Sequence, residues 1–160
     1  MKKVSVLFVC LGNICRSPTA HGVFRHKVKE LGLEHFIAFD SAGTHNYHPG
    51  SPPDARSVAH AAKRGYDLTD LRARQVRAAD FTRFDLILVM DQDNLSAIRE
   101  VCPAQFQHKV RRLTDFRVKF TSDAIPDPYY GGAKGFDHVL DLVEDACDGL
   151  LQHFRDGRHP

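Results

Sequence analysis

A cysteine and an arginine stand close together near the start of the chain, in the string Cys10-Leu-Gly-Asn-Ile-Cys-Arg-Ser17, followed by Pro18. A thiol beside a guanidinium suits nucleophilic attack on a bound anion. The string joins an apolar run to a helix start, where unpaired backbone N–H groups and the positive end of the helix dipole attract negative charge. Gly12 allows close backbone approach, and Asn13 tolerates a left-handed conformation. A loop wrapped in this way aims the amides of Leu11, Gly12, Asn13, Ile14, Cys15, Arg16 and Ser17 at one point. Arg16 adds a planar fork for phosphate oxygens. Helix N-termini and neighbouring cations bring thiol pKa values from ~8.5 to roughly 3.5–7.5, so Cys10 is expected to act as a thiolate beneath a bound phosphate. The Ser17 hydroxyl is placed to donate to it. A lone cysteine would read as core packing and a lone arginine as a solvated helix charge. The whole string does not reduce to those readings. A nucleotide-binding loop would need Gly-Lys followed by Ser or Thr, which is missing.

The elements that must position this loop follow from periodicity. Residues 4–9 are a continuous, largely β-branched run and read as a buried strand. Ser17 and Pro18 predict a helix start, with Ser17 as N-cap; Val23, Phe24, Val28 and Leu31 recur at helical spacing before Gly32. Residues 36–39 predict a second strand, leading into a polar turn at 40–44. Residues 45–53, with Tyr47, read as an ordered surface loop, and a helix over 54–64 ends at Gly65. Residues 85–90 form a third strand, a helix follows through Leu95 and Ile98, and residues 110–113 form a fourth strand. Phe136, Val139, Leu140, Val143, Cys147, Leu150, Leu151 and Phe154 make the apolar stripe of a last helix. Strands alternating with helices predict one α/β domain over 1–160. It has three layers, with a central parallel four-stranded sheet, helices on both faces and the phosphate loop after the first strand. Ligands bind at the carboxyl ends of such strands, where the Cys10 loop, Ser41 and Asp91 converge.

Composition excludes other classes. The chain has 22 basic against 20 acidic residues and a net charge of +2, with no long basic run, which argues against a nucleic-acid partner. No apolar stretch approaches the roughly 20 residues of a membrane span. The apolar run after Met1-Lys2-Lys3 is short and lacks a small-residue cleavage site, so the protein is expected to be cytoplasmic. Its four cysteines are then expected to be reduced. No C-x-x-C spacing accompanies the 10 histidines, so no structural metal site is expected.

Cys10-Leu-Gly-Asn-Ile-Cys-Arg-Ser-Pro18 resembles the signature loop of low-molecular-weight protein tyrosine phosphatases. The resemblance continues at Asp40-Ser-Ala-Gly43, Ala73-Arg-Gln75, Met90-Asp91 and Asp127-Pro-Tyr-Tyr130. It implies a phosphotyrosine-protein phosphatase that hydrolyses aryl phosphate monoesters through a cysteinyl-phosphate intermediate, without cofactor or metal. Its partners would be phosphotyrosine proteins or peptides, a tyrosine kinase among them. Asp127 would be the general acid. Tyr129 and Tyr130 would line the substrate entrance, with Leu11 and Tyr47 completing a slot for a phenyl phosphate. Cys15 would be a redox partner of Cys10, against a plain role in shaping the loop. The family often has a histidine where this chain has Leu71.

Two rivals remain. Thioredoxin-coupled arsenate reductases share the loop but need relay cysteines, which Leu88-Val-Met90 lacks. An inactive phosphotyrosine-binding module would not need Cys10, Arg16 and Asp127 together.

Overall fold

The computed structural model describes residues 1–128 and 131–157. Four parallel strands form the central sheet: β1 (Val4–Cys10), β2 (Ile37–Gly43), β3 (Leu86–Val89) and β4 (Val110–Arg112), in the spatial order β2-β1-β3-β4. Among the described residues, five α-helices accompany them: α1 (Arg16–Glu30), α2 (Ala55–Lys63), α3 (Ala78–Arg83), α4 (Gln92–Val101) and α5 (Gly132–Arg155). β1 is buried on both faces because its alternate side chains enter different cores. Val4, Val6, Phe8 and Cys10 join Val23, Phe24 and Val28 of α1 and the apolar stripe of α5. Leu7 and Val9 join Phe81 of α3 and Leu95 and Ile98 of α4. The expected α/β fold, with a four-stranded parallel sheet between helices, is what the chain adopts.

The strand order reverses between β1 and β3. From β1 the chain crosses to β2 on one side, then returns to β3 on the other. This reversal opens a crevice at the carboxyl ends of the two central strands. Cys10 ends β1, and Asp91 follows β3 as the N-cap of α4. Gly43, at the end of β2, pairs with Cys10. A Cβ on Gly43 would lie 2.9 Å from the Leu11 carbonyl oxygen, so its missing side chain lets β2 close against the loop.

Several local expectations differ from the structure. Ser17 is not the N-cap of α1: Cys15 occupies that position without a side-chain cap, and the Ser17 hydroxyl turns toward Cys10 instead. Leu31 is exposed rather than part of the α1 stripe, and Phe36 precedes β2. Asp40 and Ser41 lie within β2 rather than in a turn, their polar groups held by Arg74 and His21. The six-residue helix α3 was not expected; it is too short to display a period.

Candidate active site

The loop between β1 and α1 encloses a cavity of about 240 Å³ lined by Cys10, Leu11, Gly12, Ile14, Cys15, Arg16, Tyr47, His48 and Asp127. Its carbonyl groups are bound from outside. Thr44 N–H donates to the Cys10 carbonyl at 2.9 Å, His45 N–H to Leu11 at 3.0 Å, Asp54 N–H to Ile14 at 2.8 Å and Thr19 N–H to Cys15 at 3.2 Å. Among the described residues, the backbone N–H groups of 12–17 donate to no protein acceptor. Buried backbone donors require a partner, and an anion bound in the cavity would supply one. Asn13 makes the wrap with φ of 57°, inside the left-handed region.

Cys10 is 3% exposed, at the base of the cavity, with its sulfur 3.0 Å from the Ser17 hydroxyl oxygen. Asn13 Nδ2 donates to that same hydroxyl at 2.8 Å, and Asn13 Oδ1 accepts from the Arg74 backbone N–H at 3.0 Å. The side chains of Asn13 and Ser17 therefore lie behind the loop. Of the expected phosphate-binding residues, they support the cavity rather than line it. Leu71 is buried and apolar; the polar support reaching Asn13 comes from the Arg74 backbone.

Arg16 is held from two sides. One guanidinium nitrogen donates to Asp91 Oδ2 at 2.6 Å and to the Ile125 carbonyl at 3.0 Å. The other lies 4.0 Å from Asp127 Oδ2. Asp91 was expected near the site, but its grip on Arg16 depends on a contact across 75 residues of sequence. The loop that carries Asp127 is pinned at Ile125, whose N–H donates to the Met90 carbonyl at 2.8 Å. Asp127 itself is exposed and faces the cavity.

Leu11 and Tyr47 line the cavity, and both are exposed. Tyr129 and Tyr130 lie outside the described residues. His48 also lines the cavity and was not singled out in the sequence, where it was one polar residue of a surface loop. Tyr47 stacks on His45, with ring centroids 5.0 Å apart, and meets His48 edge-on at 6.4 Å. Burial pushes the Cys15 thiol up to about 12; Asp54 and Cys10 add to the shift, while a hydrogen bond with Ser57 opposes it. Cys15 is therefore a neutral thiol at neutral pH, poorly suited to attack. Among the described residues, no group of three His, Cys, Asp or Glu side chains could hold a metal ion, and no helix is long and apolar enough to cross a membrane.

The family model for low molecular weight phosphotyrosine protein phosphatase matches residues 5–159. A low molecular weight protein-tyrosine-phosphatase of Streptomyces coelicolor is 44% identical over 154 residues, which are 94% of this chain and 93% of that protein. A low molecular weight phosphotyrosine protein phosphatase of Schizosaccharomyces pombe is 43% identical over 145 residues, 89% of this chain and 92% of its own. The crystal structure of a protein tyrosine phosphatase from Entamoeba histolytica superposes with a TM-score of 0.94 at 41% identity, covering 98% of this chain and 99% of that one.

Proposed function

The chain belongs to the low molecular weight phosphotyrosine protein phosphatase family, and from that premise we propose that Cys10, Arg16 and Asp127 carry its reaction. Family membership makes the protein a protein tyrosine phosphatase working through a cysteine. The residue roles rest on one observation above the others. The Cys10 sulfur lies at the base of a cavity beside unpaired loop amides and the Arg16 guanidinium.

In this reading the phosphate of a phosphotyrosine side chain sits on the amides of residues 12–17, with Arg16 gripping its oxygens. The Cys10 sulfur, its thiolate form accepting a hydrogen bond from Ser17, attacks phosphorus in line. The bond from phosphorus to the phenolic oxygen breaks, and the Asp127 carboxyl group gives its proton to that oxygen. The resulting Asp127 carboxylate then takes a proton from a water molecule. That water attacks phosphorus, breaks the sulfur–phosphorus bond and releases inorganic phosphate, restoring the thiolate. The preorganised amides and Arg16 stabilise charge on the equatorial oxygens in both steps. Leu11 and Tyr47 give the aryl ring apolar walls.

The substrate reading extends to phosphotyrosine proteins of the cytoplasm, tyrosine kinases included. Four buried, free thiols, at Cys10, Cys15, Cys102 and Cys147, support a reducing compartment. For Cys15, the neutral thiol favours a role in shaping the loop.

Rapid acid quench during turnover of a phosphotyrosine peptide, followed by peptide mapping, tests the assignment. The expected product carries phosphate on the peptide containing Cys10. Label on another residue would remove Cys10 from its role.

A further inference from the structure

Behind the phosphate loop lies a chain of polar contacts that begins far from the cavity. The Arg74 guanidinium bridges two carboxylates. It donates to Asp40 Oδ2 through Nε at 3.2 Å and Nη2 at 3.1 Å, and to Asp80 through Nη1 at 2.9 Å and Nη2 at 3.0 Å. Asp80 is 2% exposed and also accepts from the Arg77 backbone N–H at 2.8 Å. Asp40 is fixed in turn by the Ser41 N–H at 2.8 Å. One guanidinium thus ties β2 to the start of α3.

Both backbone groups of Arg74 are also engaged. Its carbonyl accepts from Gly43 N–H at 2.8 Å, and its N–H donates to Asn13 Oδ1 at 3.0 Å. From Asn13 the contacts run to the Ser17 hydroxyl at 2.8 Å and on to the Cys10 sulfur at 3.0 Å. Asn13 and Ser17 are almost wholly buried, so water is not at hand to replace a lost contact. Asn13 holds a left-handed backbone that costs free energy and persists only where its surroundings enforce it.

We propose that Arg74 is a positioning residue for the nucleophile. Its two ion pairs fix the amide that orients Asn13, and Asn13 orients the Ser17 hydroxyl toward the Cys10 sulfur. The geometry gives Arg74 no contact with substrate, since it does not line the cavity. Its side chain acts through its own main chain. Arg74 reaches the loop through Asn13, while the Leu71 side chain packs in the apolar core. This assignment rests on Cys10 being the nucleophile.

The test uses Arg74→Met, Arg74→Lys and Asn13→Ala in the full chain, with two readouts. One is kcat and KM on an aryl phosphate with a good leaving group. The other is the rate at which iodoacetate alkylates Cys10 at fixed pH, located by peptide mapping. Displacement of a reacting group by about an ångström costs up to about 100-fold, so Arg74→Met is expected to lower kcat by about tenfold and KM by much less. It should slow alkylation of Cys10 in parallel. Arg74→Lys, which keeps the charge but not the fork, should recover part of the loss. Because the effect passes through Asn13, adding Arg74→Met to Asn13→Ala should change little further.

A folded Arg74→Met protein with kcat and Cys10 alkylation within about twofold of the parent would overturn the proposal. So would full multiplication of the two losses in the double variant. Should Arg74→Met not fold, Asp40→Asn takes its place. It removes the charge of one partner of the guanidinium and leaves Asp80, and a drop of about threefold is then expected against none. If the parent itself releases no phosphate, the catalytic reading fails, while the alkylation rate still decides the role of Arg74.

Discussion

Replacing Asp91 separates two contacts that one carboxylate makes. Oδ2 holds Arg16 at 2.6 Å, while Oδ1 accepts from the Asn94 N–H at 2.8 Å and caps α4. Asp91→Asn keeps a capping oxygen and removes the charge; Asp91→Ala removes both. Arg16 is only 3% exposed, so water cannot make good the loss. The guanidinium would keep the Ile125 carbonyl at 3.0 Å and the Asp127 carboxylate at 4.0 Å. A hydrogen bond to a charged group contributes about 1.5–3 kcal/mol, and a tenfold change corresponds to about 1.4 kcal/mol. Bound phosphate itself brings negative charge to Arg16, so the lower half of that range applies to the substrate complex. Both variants should therefore lose about 12–40-fold in kcat/KM.

The stability effects should differ between the two variants. Loss of a capping side chain costs about 1 kcal/mol, so Asp91→Ala should unfold at a lower urea concentration than Asp91→Asn. Millimolar inorganic phosphate should stabilise both variants, since it offers the guanidinium a new counter-charge and binds only the folded state. Initial rates on an aryl phosphate, together with urea unfolding with and without phosphate, supply the measurements. If kcat/KM of both variants stays within about twofold of the parent, the anchoring role is refuted.

Asp127→Asn should slow turnover by about 100-fold or more on esters with poor leaving groups and far less on those with good ones, because only the former need the proton. A loss that is equal across a leaving-group series, measured as kcat, would remove its role as acid. His21 offers a test of pH-dependent stability. Burial pushes its imidazole down from the ordinary 6.5 to about 4, with Asp40 opposing and Arg25 assisting, while its Nδ1 contacts the Ser41 hydroxyl at 2.9 Å. The unfolded chain takes up this proton below pH 6.5 and the folded chain does not until about 4. The stability is therefore whole above 6.5 and lost as pH falls toward 4, a change on the order of 3 kcal/mol. In His21→Gln that part of the acid slope should disappear from urea unfolding series; an unchanged slope would contradict the burial argument.

The legible parts of the fold are those where one local pattern suffices. β1 and β3 are apolar on both faces because both cores claim them, and α5 carries a single stripe against α1. β2 extends beyond the strand its sequence predicts because Asp40 and Ser41 are polar residues inside it. Their partners, Arg74 and His21, come from elsewhere in the chain. The start of α1 is hard to read for a related reason: Arg16, Ser17 and Thr19 are buried polar residues that bond Asp91, Asn13 and the Cys15 carbonyl, so the first turn lacks an apolar face. Within the site, Cys10 and Arg16 were legible because loop, nucleophile and clamp are contiguous. Asp91 is legible by its place after β3, but its hold on Arg16 is not, and His48 and Arg74 become meaningful only when the loop after β2 and the segment before α3 converge on the same crevice. Their residue types alone would suit any turn or helix cap.

The central claim is tested most directly by release of inorganic phosphate from a phosphotyrosine peptide in the presence of a chelator, comparing the parent with Cys10→Ser. The account predicts release by the parent and none by the variant, which should still bind phosphate because the loop amides and Arg16 remain. Release by folded Cys10→Ser at the parental rate would contradict the account.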